Sequence, residues 1–228
     1  MIDQMGVKPG DHVLEIGCGW GGFAEYAAKE RGLKVTGLTI SKEQLLYAQK
    51  RIKNKGLEDK VDLKLQDYRD EKGVYDGVAS IEMFEAVGEK YWPIYFETIK
   101  HCLKPGRQAT LQIITVHDAR WDVYRKSVDF IQKYIFPGGM LPSPTVLRQE
   151  VTKAGLRVQH SIEFGKSYSQ TLRRWFNVFN DQWDTINDMG FDDRFRRMWN
   201  FYLTSCAATF ESGNCDVTQI TLQKPESN

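Results

Sequence analysis

A carboxylate and four glycines lie close together near the start of the chain. Glu15 stands in an apolar stretch, 13–16, and the next six residues, 17–22, contain the four glycines. Glycine inside a helix or strand costs roughly 0.5–1 kcal/mol relative to alanine. This density therefore favours a turn in which the backbone approaches a ligand closely. The sequence predicts a ligand site there, with Glu15 supplying negative charge.

The charge of the ligand separates two classes of cofactor. Gly17, Gly19 and Gly22 satisfy the G-x-G-x-x-G spacing of dinucleotide sites, which alone is a weak signal. A dinucleotide site also needs an acidic residue after the second strand, where the sequence is Leu38-Thr39-Ile40. Glu15 would repel a pyrophosphate but would attract a cation. S-adenosylmethionine, with a sulfonium and an ammonium group and no phosphate, fits these residues.

Each of these residues also has a structural alternative. Glu15 could be an edge carboxylate paired with a lysine. Gln44 could complete a helix capping box with Ser41, or it could bind ribose hydroxyls together with Thr39. Asp67-Tyr68-Arg69 could form an Asx turn, or it could lie against an adenine ring. The sequence leaves these alternatives open.

Strand-like and helical patterns alternate in the first half of the chain. The predicted strands are 13–16, 34–38, 61–65, 75–81 and 109–114. The predicted helices are 21–31, one that opens at Ser41, and 90–103, which Lys104-Pro105-Gly106 would stop. Strands separated by helices predict a parallel sheet with right-handed crossovers.

The alternation stops between about 115 and 145. We expect an insertion there, with a helix at 117–134 and a turn-rich loop at 135–142, placed where a lid would cover a ligand. A helix at 144–154, a strand at 158–163, helices at 169–189 and 193–210, and a final strand at 217–222 complete the prediction.

Composition limits the class of protein. The 228 residues are 41% hydrophobic and 27% charged, as in a soluble globular protein, and the net charge of +1 argues against general nucleic-acid binding. No apolar run approaches the ~20 residues of a membrane helix, and no signal peptide is visible. The four cysteines lack metal-binding spacing, so we expect reduced thiols, no metal site and a cytoplasmic protein.

Basic and aromatic residues alternate in the two long helices near the end of the chain. Arg173-Arg174 and the group Arg194, Arg196 and Arg197 lie among tryptophans and phenylalanines. One interpretation is a pair of solvated helix faces. The other is a surface that meets anionic lipid headgroups and inserts aromatic side chains between them.

Five stretches are shared with one known family: 13–22, 37–44, 80–88, 133–142, and 164–168 followed by Trp175. Through them nearly the whole chain resembles the cyclopropane-fatty-acyl-phospholipid synthases and mycolic acid cyclopropane synthases, a branch of the class I S-adenosylmethionine methyltransferases. The stretch Lys133-Tyr-Ile-Phe-Pro-Gly-Gly-Met-Leu-Pro142 is the most specific, because generic methyltransferases lack it.

The resemblance implies an α/β class I methyltransferase (Rossmann-like) fold. Its seven-stranded sheet would be mostly parallel with an antiparallel last strand, with a helical lid insertion after strand five. We expect one domain, 1–228, with the lid or substrate insertion at about 115–145 and substrate-side helices at about 169–210. The expected cofactor-binding residues are Glu15, Gly17, Cys18, Gly19, Thr39, Gln44, Asp67, Tyr68, Arg69 and Ile81.

The resemblance also implies a reaction on unsaturated phospholipid acyl chains at the inner face of the membrane. The alkene would attack the sulfonium methyl group, and a carbocation would then lose a proton to bicarbonate. The catalytic residues would be Glu85, Tyr168, Gln112 and, through its main chain, Ile114. Glu85 could instead pair with Lys90, and Tyr168 could be a core tyrosine. We leave a homodimer open.

Three departures from the family pattern matter. Gln112 replaces a histidine, which leaves plain methylation open beside cyclopropanation, and Ala86 stands where histidine is frequent. An upstream family segment that contacts the cofactor does not precede 13–22, which leaves weak binding or inactivity open beside full activity. The alternatives are a small-molecule N-methyltransferase and a non-catalytic S-adenosylmethionine-binding subunit of a lipid-modifying complex. Glu82, which has no trusted family counterpart, is interpreted as a surface or supporting residue.

Overall fold

The structure, a computed structural model, describes residues 1–226. Seven strands form one sheet in the order β3-β2-β1-β4-β5-β7-β6. The strands are β1 His12–Ile16, β2 Lys34–Thr39, β3 Val61–Leu65, β4 Tyr75–Ile81, β5 Leu103–Val116, β6 Arg157–Glu163 and β7 Cys215–Gln223. Strand β1 is parallel to β2 and β4, and the pairs β2–β3 and β4–β5 are also parallel.

Strand β7 runs in the opposite direction to β5. At one end the N–H of Gly106 donates to the carbonyl of Lys224, and at the other end the N–H of His117 donates to the carbonyl of Asn214. Residue numbers therefore increase along β5 while they decrease along the paired β7, which is the antiparallel pattern. The sheet confirms the prediction of seven strands with an antiparallel last strand.

The chain divides into two compact units. The first unit comprises Met1–Ile113, Thr145–Ile162 and the residues from Gln219 onwards. The second unit comprises Ile114–Pro144 and Glu163–Thr218, and strands β5 and β7 contribute residues to both.

The first unit contains five α-helices in its described part: α1 Ile2–Met5, α2 Gly22–Arg31, α3 Lys42–Asn54, α4 Trp92–Cys102 and, later in the chain, α7 Pro144–Lys153. Ala24, Ala27 and Ala28 recur at helical spacing on α2, and all three are completely buried. Their small side chains let α2 pack closely against the buried valines Val13 and Val35 of the sheet. This packing fixes the start of α2 next to the end of β1.

The junction between α4 and β5 differs from the prediction. The helix ends at Cys102, and the strand begins at once with the fully buried Leu103, which pairs with Tyr75. Lys104-Pro105-Gly106 therefore lies within the strand. Gly106 has φ +73°, and the β4–β5 register shifts between Tyr75 and Gly77, so an irregularity absorbs the residues expected to form a stop.

The second unit consists mainly of helices: α5 Trp121–Tyr124, α6 Phe130–Tyr134, α8 Gly165–Asp181, α9 Trp183–Asp188 and α10 Asp193–Glu211. Its core forms where Leu172 of α8 meets Leu203, Ala207 and Phe210 of α10, with Val217 of β7 beside them. The long pair α8 and α10 is thus held together by apolar contacts.

Two predicted helices are broken in the structure. The expected helix 117–134 is split because Asp129 starts a new helix. Its carboxylate accepts from the N–H of Gln132, 2.8 Å, and the Gln132 side chain accepts from the N–H of Asp129, 3.0 Å. The expected helix 169–189 begins earlier, at Gly165, where the N–H donates to Asp216, 2.7 Å, and it is interrupted at Gln182.

Gly37 provides a test of the packing behind β1 and β2. A Cβ atom at Gly37 would lie 2.6 Å from Leu63 Cδ2 and 2.9 Å from Cys18 Cβ, so Gly37→Ala should lower the free energy of unfolding by about 1–3 kcal/mol through overpacking. Gly22→Ala is the matched control, because its nearest neighbouring atom would be 3.8 Å away and the residue is helical. Urea unfolding of both variants measures the difference. Equal losses would show that the space at Gly37 does not control packing.

Candidate functional site

The glycine turn leads from β1 into α2 and is hydrogen-bonded to the end of the neighbouring strand β2. Gly17, Gly19 and Gly21 have φ values of +81°, +51° and +78°, a region that favours glycine. The N–H groups of Gly17 and Cys18 both donate to the carbonyl of Leu38 at the end of β2, at 3.0 and 2.8 Å. A Cβ at Gly19 would meet nothing within 4 Å, so the backbone there is open to a ligand.

Glu15 lies directly beneath this turn. It is 2% exposed on β1, which has neighbours on both sides in the sheet. Burial raises the pKa of its carboxyl well above the ordinary value, although a hydrogen bond from the backbone of Ala24 acts to lower it. Within residues 1–226 its Oε2 atom is buried and has no hydrogen-bond partner. The edge position paired with a lysine, one of the two interpretations from sequence, is wrong.

A buried carboxylate with an unsatisfied oxygen is unfavourable unless a cation or a donor reaches it. The turn above it has no side chain at Gly17 or Gly19. These features fit S-adenosylmethionine, because its amino-acid part carries an ammonium and its sulfur is cationic. They do not fit a pyrophosphate.

Cys18 could contact such a ligand only through its main chain. Its side chain is 3% exposed and packs beside Gly37 in the core of the first unit. Burial, together with the nearby Glu15, raises the pKa of its thiol to about 12, so the thiol stays protonated at neutral pH. Among residues 1–226, no cluster of histidine, cysteine, aspartate and glutamate could hold a metal ion.

The start of α3 brings Thr39 and Gln44 together. The Thr39 hydroxyl donates to Gln44 Oε1 at 3.1 Å and accepts from the N–H of Ser41 at 3.2 Å. Ser41 caps the helix by accepting from the N–H of Gln44 at 3.2 Å. Only this half of the predicted capping box forms, because the Gln44 side chain bonds to Thr39 instead. The pair therefore lies at the end of β2, as a ribose-binding role requires.

The segment after β3 forms the predicted Asx turn. Asp67 accepts from the N–H of Arg69 at 2.9 Å and holds its guanidinium with two further bonds, at 2.9 and 2.6 Å. This arginine also lies over the Tyr91 ring, 5.6 Å from its centre. Tyr68 is half-buried and meets Tyr95 edge-on at 5.6 Å. The turn gives the segment a fixed shape, and a contact with adenine stays a prediction.

Three polar side chains form a hydrogen-bonded chain from the end of β4 across β5 to β7. Ile81 pairs in register with Gln112. The Gln112 amide donates to Glu82 Oε1 at 2.7 Å, and its oxygen accepts from Gln219 Nε2 at 2.9 Å. Glu82 is the one residue other than glycine in the described chain with a positive φ, +51°. Glu82 is thus a candidate site residue that the sequence analysis treated as peripheral.

Glu85 lies in a short 3-10 helix, Phe84–Ala86, just after β4. Phe84 is completely buried and anchors this helix by ring contacts with Trp92 at 5.1 Å and Tyr95 at 5.0 Å. Glu85 itself is half-buried. The ammonium of Lys90, its alternative partner, lies 4.6 Å from the centre of the Tyr91 ring.

The other two predicted catalytic residues belong to the second unit. Ile114 is half-buried on β5 and packs against the core of that unit. Tyr168 lies on α8, half-buried, with its ring 5.9 Å from Phe164 and 5.5 Å from Phe210. The aromatic part of Tyr168 is therefore a core contact, and its catalytic role stays a prediction.

The basic helices divide into inner and outer residues. Arg196 lies over the Trp183 ring at 5.0 Å and donates to Asn180 at 3.2 Å, so it serves helix packing. Arg174 is exposed, and beside it on α8 Trp175 and Val178 are 55% and 59% exposed. The described part of the chain, 1–226, has no helix with the length and hydrophobicity of a membrane span.

Comparison with known proteins gives concordant results. The family model described as mycolic acid cyclopropane synthetase matches residues 1–220. The tuberculostearic acid methyltransferase UfaA1 of Mycobacterium tuberculosis is 41% identical over 223 residues, which are 97% of this chain and 52% of that protein. The cyclopropane-fatty-acyl-phospholipid synthase of Escherichia coli K12 is 37% identical over 229 residues, covering 100% of this chain and 57% of that protein.

A solved structure agrees with these relatives. The cyclopropane synthase MmaA2 from Mycobacterium tuberculosis has a TM-score of 0.90 and 26% identity, over 98% of this chain and 81% of that chain. The present chain spans about half of the length of the two relatives compared by sequence. From the family match and the shared fold, the chain belongs to the mycolic acid cyclopropane synthetase family and has a class I methyltransferase fold.

Proposed function

We propose that this chain transfers a one-carbon group from S-adenosylmethionine to the double bond of an unsaturated fatty-acyl chain of a phospholipid. The observation that carries the proposal is Glu15, a buried carboxylate with an unsatisfied oxygen beneath a turn that is open at Gly19. The names of the two relatives, tuberculostearic acid methyltransferase and cyclopropane-fatty-acyl-phospholipid synthase, support the lipid substrate.

The bound cofactor supplies an electrophilic methyl group. The π electrons of the alkene would form the new carbon–carbon bond as the sulfur–carbon bond breaks, which would leave a neutral thioether and a cation on the acyl chain. Loss of a proton from the added methyl group would close a cyclopropane ring. Addition of hydride from a donor would instead leave a methyl branch.

The residues of the first unit have distinct tasks in this proposal. Glu15 and the turn at Gly17 and Gly19 hold the charged end of the cofactor, and Thr39 with Gln44 binds the ribose. Tyr68, between Asp67 and Arg69, lies against the adenine, and Cys18 and Ile81 contribute main-chain or apolar contacts. Fixed dipoles and charges of this kind usually provide the largest part of catalysis.

The base belongs to the same proposal. A bicarbonate ion would supply the proton acceptor, with Glu85, Tyr168 and the main chain of Ile114 as its ligands. The donor set suits a small oxyanion, since a phenol and an N–H donate to it and a carboxylate accepts its hydroxyl. Gln112 is bonded on both sides, to Glu82 and Gln219, so its part in holding bicarbonate is limited.

The lipid would be reached at the inner face of the membrane by a cytoplasmic, peripherally bound protein. Support comes from α8, where Arg173 and Arg174 accompany the exposed Trp175 and Val178. Arginines attract anionic headgroups, and aromatic rings enter the interface. The segments 115–145 and 169–210 are proposed as lid and substrate-side helices of one functional domain.

The first prediction concerns Glu15→Gln. The substitution should raise the melting temperature of the free chain, because the buried carboxylate is removed, while S-adenosylmethionine affinity falls about 10- to 100-fold, equivalent to about 1.4–2.8 kcal/mol. Calorimetry measures both quantities. The matched control is Glu30→Gln on the exposed end of α2, which should change neither.

The same site predicts a pH dependence. The pKa of Glu15 is raised in the free protein because burial favours the neutral acid. The contribution of Glu15 to folding stability is therefore fully present below the ordinary glutamate pKa, and it is lost as the pH rises through the raised pKa of the folded protein. A cationic ligand lowers that pKa. Cofactor affinity should therefore rise with pH over this window, with proton release on binding, seen by calorimetry in buffers of different ionisation enthalpy. Proton uptake on binding would contradict the assignment. The same pH dependence of cofactor affinity in Glu15→Gln and in wild type would also contradict it.

The second prediction concerns Glu85→Gln. Turnover should fall about 100-fold, in the range seen when one preorganised polar group is removed, with cofactor affinity within threefold of wild type. The assay follows thioether product formation with vesicles of unsaturated phospholipid, and saturated vesicles serve as the substrate control. A large loss of cofactor affinity would place Glu85 in the cofactor site instead.

The third prediction concerns the exposed face of α8. Trp175→Ser should reduce pelleting with anionic vesicles by about tenfold, since an interfacial aromatic is lost. Tyr26→Ser, which removes an aromatic that is 52% exposed on α2, is the control. Vesicle binding without turnover would favour a non-catalytic subunit, and turnover on amines without lipid would favour an N-methyltransferase.

A further inference from the structure

The residue that follows β4, Glu82, has a backbone conformation that is unfavourable for a side chain. Glu82 has φ +51°, a conformation that glycine adopts readily and glutamate does not. Strained residues of this kind persist only where the surrounding structure holds them, and they concentrate at functional sites. Glu82 follows directly after β4, at the carboxyl edge of the sheet, where open α/β folds bind their ligands.

Two bonds to one residue hold Glu82 in this conformation. Its N–H donates to the main-chain oxygen of Gln112 at 2.9 Å, and its Oε1 accepts from the Gln112 amide at 2.7 Å. Both the main chain and the side chain of Glu82 are therefore fixed by the same position of β5. The position of the carboxylate is defined although the residue is exposed.

The Glu82 carboxylate, which can only accept, determines the orientation of the Gln112 amide. The nitrogen of Gln112 faces Glu82, so its oxygen faces Gln219 and accepts from Nε2 at 2.9 Å. A flipped amide would oppose two donors at one end and two acceptors at the other. The chain of bonds thus runs in one direction, from β7 through β5, and ends on a negative charge.

The surroundings of this carboxylate are partly desolvated. Burial raises the pKa of Glu82, and the hydrogen bond from Gln112 opposes the rise. A partly desolvated anion interacts more strongly with a nearby cation than an anion in bulk water does. Glu82 directly follows Ile81 in the chain, and Ile81 is paired with Gln112 on the neighbouring strand.

We propose that Glu82 is a fixed anion of the reaction region, held by Gln112 and Gln219, and that it faces the positive charge that develops on the acyl chain during transfer. Gln112 then acts mainly as a positioning residue for Glu82. This inference rests on the proposed function, because it assigns Glu82 to the cationic stage of that reaction.

The test uses the full chain with five variants, one of which is Glu82→Asp, with the same charge on a shorter side chain. Glu82→Gln removes the charge and keeps the shape, Glu82→Gly relieves the backbone, and Gln219→Leu frees the Gln112 amide without touching Glu82. Glu97→Gln, at an exposed position of α4, is the control for loss of one carboxylate. Each variant is measured for melting temperature, S-adenosylmethionine affinity and turnover on unsaturated vesicles.

We expect Glu82→Gln and Glu82→Gly to lower kcat at least 30-fold, with cofactor affinity within threefold of wild type. Glu82→Gly should melt no lower than wild type, since its φ suits glycine. Gln219→Leu should give an intermediate loss in kcat, and Glu82→Asp should recover part of the rate. Unchanged kcat with a lower melting temperature in Glu82→Gln would make the residue purely structural and would overturn the proposal.

A second measurement separates this inference from the proposed function. Hexadecyltrimethylammonium, which joins a cation to an acyl-like chain, is compared with a neutral hexadecyl maltoside, both below their micellar concentrations. Wild type should prefer the cationic amphiphile, and Glu82→Gln should lose at least tenfold of that preference. If wild type does not turn over lipid, the proposed function fails. The comparison of the two amphiphiles still tests whether Glu82 faces a positive charge on an acyl-like chain. Equal preferences in wild type and Glu82→Gln would refute the role of Glu82.

Discussion

The buried carboxylate of Glu15 sets conditions that much of the first unit must satisfy. It stands on β1, between β2 and β4, and only main chain and a ligand can compensate it there. The helix α2 begins immediately above, and the Ala24 backbone supplies one hydrogen bond. That bond requires α2 to pack tightly on the sheet, which the row of buried alanines allows. The positive φ values of Gly17, Gly19 and Gly21 let the chain turn from β1 into α2 within this short distance.

Two acidic residues at the carboxyl edge of the sheet are held in different ways. Glu15 is completely enclosed and keeps an unsatisfied oxygen, so the free protein is under electrostatic tension that a cationic ligand relieves. Glu82 is exposed but is fixed by two bonds to Gln112 in a strained conformation. A site that carries a sulfonium first and an acyl-chain cation later would use both kinds of anion, one for binding and one for the reaction.

The parallel part of the fold could be predicted closely from the sequence. Strands 61–65 and 75–81 have the predicted bounds, since apolar runs between turn residues define them well. The start of β5 could not be predicted, because Pro105 and Gly106 have the appearance of a stop and only pairing with Tyr75 makes them part of a strand. The break before α6 was visible in principle, because Asp129 and Gln132 have capping-box spacing.

The candidate site also has a part that could be predicted from the sequence and a part that could not. Glu15, the glycine turn and the Thr39–Gln44 pair were predicted because each depends on neighbours in sequence. The bond between Gln112 and Gln219 joins residues 107 positions apart, and no local pattern indicates it. The positive φ of Glu82 is equally invisible, since glutamate is a poor choice for that conformation. The sequence therefore explains how the end proposed to bind the cofactor is built, while the end proposed for the reaction depends on contacts that exist only after β4, β5 and β7 have paired.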